Sequence, residues 1–280
     1  MMLQDVNVKE LIFHHTADAW EVWGLHLPRF ADIHLGPLTL NLSPTKHVVF
    51  MLIAAVLVFA TMKIAGMQLA KQRAHEKAPK GFANAVEGLV LFVRNDIAIA
   101  NIGHDGAKFA PLIITLFFFI LYCNFLGLIP FGASPTGNVA VTGGLALLVF
   151  AVVEIGGMLK LGFKGYMGTI FPHMPGMHGA AAAVMSVAMA PIEILGKLVK
   201  PFALAVRLFG NMTAGHFVIL SLFAIVFIFG HLGFWSWGIG IASAAMVLGV
   251  MLLEIIVALL QAYVFALLSA VFIGLMQHEH

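Results

Sequence analysis

Apolar residues run along this chain in blocks of roughly twenty residues or more, the length a helix needs to cross about 30 Å of hydrocarbon. The first block, Val48 to Ala70, is interrupted only by Lys63 near its far end and predicts a helix over about 46–70. An uncharged block from Pro111 to Ile129 is stopped by Pro130 and predicts a helix over 109–129. A third, over 139–160, holds Glu154, after which Lys160, Lys164 and a Gly/Pro/His loop lead to about Gly179. The last two blocks, 180–229 and 234–277, are almost unbroken. One helical segment has a different character. Residues 81–102 carry Glu87, Arg94 and Asp96, while Val86, Val90, Val93 and Ile97 fall on a single stripe. Too charged to cross, this segment is expected as an amphipathic helix on the membrane surface.

The last two blocks are too long for upright crossing. A fifty-residue helix such as 180–229 would reach roughly 75 Å, yet neither block has a turn signal in its middle. Pro191 and Pro201 can bend the first of them. Long, tilted helices packed as a hairpin around Gly230–Gly233 fit this pattern best. The expected fold is an all-α integral membrane protein with about five membrane-embedded helices and one amphipathic surface helix. Residues 46–280 then form the membrane domain. Residues 1–45, the one substantially polar stretch, form an extracytoplasmic segment. Trp20 and Trp23 in it suit a membrane interface. The alternation from Asp32 to Leu42 around Gly36-Pro37 predicts a short hairpin.

Composition supports the membrane reading: 61% of residues are hydrophobic and 10% charged, against roughly 25% charged in a soluble domain. Charge placement gives the orientation. Between positions 63 and 108 lie seven basic residues (Lys63, Lys71, Arg73, Lys77, Lys80, Arg94, Lys108) against four acids, whereas loops 130–138 and 229–238 have none. The positive-inside rule puts segment 71–108 and the C-terminus inside and the N-terminal tail outside. The N-terminus lacks the basic and apolar regions of a signal peptide. Cys123, the one cysteine, sits in an apolar run as a packing residue. His173, His178 and the tail His278-Glu279-His280 have no metal-site spacing and read as solvated. Neither a metal nor a cofactor is expected, and no nucleic-acid partner.

The polar residues inside the last two blocks carry the chemistry. Glu193, Lys197, Lys200, Leu204, Arg207 and Asn211 share one helical stripe. A solvated helix end accounts for the first three but not for Arg207 and Asn211, deeper in the apolar run. Arginine keeps its proton at any physiological pH, and inserting it costs about 2.5–3.5 kcal/mol on translocon scales. Such a residue either snorkels to the headgroups or holds an anionic partner at depth. His216, nine residues on, faces the opposite side of the helix. Glu254 and Gln261, seven apart, stack on one face of the final helix. His216 and Glu254 both titrate near neutral pH when their surroundings shift them, as steps of a proton path must.

The run Arg207-Leu208-Phe209-Gly210-Asn211-Met212-Thr213-Ala214-Gly215-His216 closely resembles the signature of subunit a of the F-type ATP synthase. Thr45-Lys46-His47-Val48, Gly103 to Lys108, Asn124-Phe125-Leu126-Gly127-Leu128-Ile129-Pro130 and Gln261-Ala262-Tyr263-Val264-Phe265 extend the likeness over roughly 45–277. The resemblance implies a non-catalytic stator subunit that conducts protons through two half-channels. Arg207 would face the carboxylates of the rotating c-ring, with Asn211 and Gln261 as polar neighbours. His216 and Glu254 would line the outer half-channel, and Glu193 would sit toward the inner one. Many bacterial members carry the histidine and carboxylate the other way round, so both group types are kept. Implied partners are the c-subunit ring, the b-subunit peripheral stalk, the soluble ATPase head and membrane lipid, in a bacterial inner membrane. The alternative, a stand-alone secondary transporter, lacks support from any internal repeat or paired broken helices.

Overall fold

A computed structural model describes residues 21–22, 25–28, 33–35, 38–40, 43–74, 81–129, 132–171, 180–229 and 234–278. Trp20, Trp23, Lys77, Lys80, Pro130, His173, His178, the Gly230–Gly233 turn and the Glu279-His280 tail lie outside the described residues. Two short antiparallel ribbons come first among the described residues: β1 (Glu21–Val22) pairs with β2 (Leu25–His26), and β3 (Ile33–Leu35) with β4 (Leu38–Leu40). The second ribbon, with Leu35 opposite Leu38, is the hairpin that the alternation around Gly36-Pro37 predicts.

The described elements beyond these ribbons are helical. Helix α1 spans Lys46–Ala74, and α2 spans Phe82–Phe92. A π-helical stretch, Val93–Ile99, joins α2 to the single turn α3, Ala100–Ile102. Then come α4 (Gly106–Leu128), a 3-10 turn at Pro135–Gly137, α5 (Val139–Ile170), α6 (Ala180–Phe229) and α7 (Phe234–His278). Five of these helices, α1, α4, α5, α6 and α7, are long and apolar enough to cross a membrane. The protein is an all-α integral membrane protein outside its short N-terminal ribbons. Helix α6 runs through both Pro191 and Pro201 as one fifty-residue element.

Two observations differ from the sequence pattern. Helix α5 does not stop before Lys160 but continues through Lys164 to Ile170, kinking at Gly162, whose φ of 69° lies in the left-handed region. Glycine takes that conformation without a steric penalty, and lysine is a good helix former, so falling hydropathy does not end the helix. The amphipathic stripe of α2 and its π-helical continuation is also not turned to lipid. Val86, Val93 and Ile97 are buried by the protein's own side chains, and Val90 partly so, while Arg94 and Asp96 are exposed.

The helices divide into two compact units. The first comprises Met1–Ala60, Phe119–Asn138 and Leu208–Gln261. Its apolar core gathers Phe50, Ala54, Cys123, Leu126 and Ala133, so Cys123 is the buried packing residue expected of it. Asn124, fully buried, ties three parts of this unit together. Its amide donates to the Ala258 carbonyl at 3.3 Å, and its oxygen accepts from the Thr136 hydroxyl at 2.7 Å. Ser134 adds a 2.6 Å contact to Thr136 and donates to the Cys123 carbonyl at 3.3 Å. Buried polar groups at membrane depth need such partners, because hydrocarbon offers none.

The second unit comprises Thr61–Phe118, Val139–Arg207 and Ala262–His280. The α2–α3 segment packs here on the C-terminal half of α7, with Phe92 stacked on Tyr263 at 6.0 Å between ring centroids. Gly274 of α7 meets the backbone of Asn101 and Ile102 so closely that a β-carbon would collide with the Asn101 carbonyl. Asp105, just before α4, receives Lys108 at 2.8 Å and Lys160 at 3.1 Å. Hydrogen bonds first from Lys108 and then from Lys160 hold its carboxyl well below the ordinary range, at about 2. Asp105 therefore stays ionised throughout the physiological range.

The close approach at Gly274 generates a test. Gly274→Ala is expected to destabilise the protein by about 1–3 kcal/mol, since backbone cannot move aside as a side chain can. Gly249→Ala, where nothing lies within 4 Å of the added atom, should cost nothing. Thermal unfolding of the two variants in detergent checks the contrast; equal midpoints would show that the contact is not tight.

Candidate functional site

The polar residues singled out in the sequence fall into three environments. Arg207 lies within the membrane-crossing part of α6, and its side chain is exposed. Among the described residues it makes no hydrogen bond or ion pair with another side chain. The helix supplies neighbours of small volume or apolar character, Ala203, Leu208 and Gly210, so nothing on α6 itself neutralises the guanidinium. A charge that never leaves the side chain, on an exposed helix face within a membrane-crossing segment, is met by an anionic partner, by water or by snorkelling to the headgroups.

Asn211, one turn further along α6, donates its amide to Gln261 Oε1 of α7 at 3.5 Å. Gln261 is buried and Asn211 exposed. The pair therefore links α6 to α7 and leaves one amide side chain facing outward. Helical spacing singled out both residues and the family resemblance made them site candidates; the structure brings these two together.

His216 and Glu254 occupy adjoining turns of the same unit. The Nδ1 of His216 lies 3.0 Å from the Met212 carbonyl, one turn back on α6. The ring lines a small cavity of about 40 Å³ with Lys46 and His47 of α1, Gly132, Ala133, Ser134 and Gly137 of the loop after α4, and Met212 and Thr213. A space of that size accommodates water, and the hydroxyl of Thr213 is buried there without a hydrogen-bond partner, as a water-binding group would be. Glu254 is buried on α7, with its carboxylate in the space left by the missing side chain of Gly215, next to His216. It makes no hydrogen bond among the described residues. No group of three or more metal-ligating side chains occurs among them.

Glu193 belongs, like Arg207, to the second unit. It lines a cavity of about 260 Å³ with Glu154 of α5, with Lys197 and Lys200 of α6, and with Phe272, Leu275 and Met276 of α7. Sequence reading placed Glu193, Lys197 and Lys200 on one stripe, and all three do face this cavity. It missed the contribution of Glu154, which appeared only as an acid inside a span. It also missed Lys46, His47, Ser134 and Thr213 around His216. The signal for Glu154 was its intramembrane position, since a carboxylate there demands a partner. For the His216 cavity the sequence held no comparable cue, because its walls come from three distant segments.

Comparison with known proteins identifies the family. Residues 48–274 match the family described as ATP synthase A chain. The chain is 46% identical to ATP synthase subunit a 2 of Chlorobaculum tepidum over 272 residues, covering 95% of this chain and 72% of that one. It is 43% identical to ATP synthase subunit a of Chloroherpeton thalassium, over 95% of this chain and 76% of the other. ATP synthase subunit a of Myxococcus xanthus is 43% identical, over 86% and 76% respectively. A membrane protein of five long apolar helices, matching along most of its length, is no chance similarity. The chain belongs to the ATP synthase A chain family and is a multi-pass membrane subunit of that kind.

Proposed function

We propose that this subunit is the proton-conducting stator of an F-type ATP synthase, in which Arg207 faces the carboxylates of a rotating c-ring. The observation that carries the reading is the outward Arg207, an uncompensated charge in the middle of a membrane-crossing helix. Its anion has to come from another subunit. A ring carboxylate arriving protonated loses its proton as it meets the guanidinium, because direct attraction favours the ionised form and low dielectric strengthens that attraction. Beyond Arg207 the carboxylate regains a proton. Arg207 itself bars a direct leak, since it cannot pass on a proton of its own. Protons then cross only by riding the ring, which couples the gradient to rotation and ATP synthesis.

Asn211 and Gln261 serve as neutral polar neighbours to that encounter, able to hold water or a carboxylate without competing for charge. His216, Glu254 and the water-sized cavity beside His216 form the outer half-channel, and Glu193 with its larger cavity belongs to the inner one. The b-subunit peripheral stalk holds this subunit against the ring's motion and connects it to the soluble head. No catalytic step of ATP formation falls on this chain. Segment 71–108 and the C-terminus face the cytoplasm, and residues 1–45 lie outside, following the lysine and arginine asymmetry.

Three experiments test this. Arg207→Ala is expected to abolish ATP-driven pumping and proton-driven synthesis in complexes that still assemble. Arg207→Lys should fail substantially too, since a desolvated lysine loses its proton and lacks the planar fork. Coupling near the wild-type level in the alanine variant would remove Arg207 from the mechanism.

His216→Leu and Glu254→Gln should each slow proton conduction without uncoupling it. If the two act in series, the double variant conducts no more slowly than the worse single one; additive losses, read from passive conductance of reconstituted membrane sectors, would place them on separate paths.

For orientation, Lys71→Cys and Asn138→Cys should react with impermeant maleimide from opposite faces of sealed vesicles. Reaction from one face alone would overturn the arrangement.

A further inference from the structure

The cavity of about 260 Å³ in the second unit holds two carboxylates, Glu154 and Glu193, and two ammonium groups, Lys197 and Lys200. Their pairing is not the one that the sequence favours. Glu193 and Lys197 are four apart on one helix with the acid N-terminal, the order in which such pairs attract best. Yet Lys197 turns to α5. Its Nζ lies 3.6 Å from Glu154 Oε2, donates to Thr169 Oγ1 at 2.8 Å and sits 4.5 Å from the centre of the Tyr166 ring. Glu154 is fixed in turn by accepting the Tyr166 hydroxyl. Lys200, the other cation, lies over the Phe272 ring at 5.5 Å. Glu193 is left without a hydrogen bond or ion pair among the described residues. The α7 wall adds no charge, since Phe272, Leu275 and Met276 line it.

We propose that Glu154 is a positioning residue: by holding Lys197 on α5 it keeps Glu193 without a counter-ion and therefore able to bind and release protons in the cavity. A lysine beside a carboxylate keeps it ionised, and a group that is always ionised relays nothing. The strength of the hold comes from three α5 partners converging on one ammonium, with Lys197 and Glu154 each only 15% exposed. Such a pair is screened far less than a surface one. The α5 extension past Lys160 is what makes this possible, because Tyr166 and Thr169 both belong to it. This inference rests on Glu193 as a proton-carrying group of the inner half-channel, and the test separates the two.

Glu154→Gln removes the charge while leaving an oxygen for the Tyr166 hydroxyl. Lys197 then turns back one helical turn onto Glu193. In the intact complex, modification of Glu193 by an apolar carbodiimide, which attacks protonated carboxyl groups, is read by peptide mass spectrometry. Labelling at pH 7 is expected to fall several-fold in Glu154→Gln, to stay at the wild-type level in Glu154→Asp, and to return in Glu154→Gln with Lys197→Gln. ATP-driven pumping should follow the same order, with the loss in the single variant greatest at alkaline pH. A pair that only braces the helices predicts unchanged labelling and no rescue by the second substitution; either result overturns the proposal, as does a wild-type Glu193 that never labels. Glu193→Gln distinguishes the underlying reading. If it pumps normally while labelling in the other variants behaves as stated, Glu154 does control Glu193 but Glu193 carries no essential proton.

Discussion

A charge at membrane depth has to be met by something: an opposite charge, a proton, or water. Most of what is unusual in this structure is one of those three answers. Lys197 and Glu154 meet each other across two helices. Glu254 lies buried in the space beside Gly215, and His216 lines a cavity of water size. Arg207 finds no answer among the described residues. The same rule governs neutral groups, for Asn124 at full burial finds a partner for both ends of its amide.

How much of this is legible in the sequence depends on the range over which each interaction acts. Hydropathy is a local property, and the five crossing helices follow from it directly, including the two of forty-five and fifty residues that a membrane-length rule would have split. Residue type at depth is local as well, so Arg207, Asn211, His216, Glu254 and Gln261 stand out as they are. The end of α5 is less legible. Lys160 and Lys164 mark where hydropathy falls, but helix formation depends on backbone preference and on partners, and Lys160 finds one in Asp105, 55 residues earlier. Least legible are the contacts that set the polar sites. Asn124 and Ala258 are 134 residues apart, and no local pattern indicates that they touch. The amphipathic stripe of 81–102 makes the same point. Periodicity identifies the buried face correctly, but whether lipid or protein covers it is decided by residues elsewhere.

The two cavities show how one backbone pattern serves different electrostatic ends. Around His216 the other charged or titratable wall residues are Lys46 and His47, with Ser134 and Thr213 adding hydroxyl groups. The cavity at Glu193 has acids and bases in equal number and owes its character to which of them are paired.

Gly274 has a mechanical meaning beyond packing. Where α7 touches the backbone of Asn101 and Ile102 there is no side chain between the two elements to bend or rotate. Contacts of that kind are stiff, because compressing them strains covalent geometry rather than a rotamer. A sideways push on the C-terminal half of α7 is therefore handed to the 81–102 helix almost without give. In the stator role proposed above, stiffness of this kind would limit how much work is lost as elastic recoil.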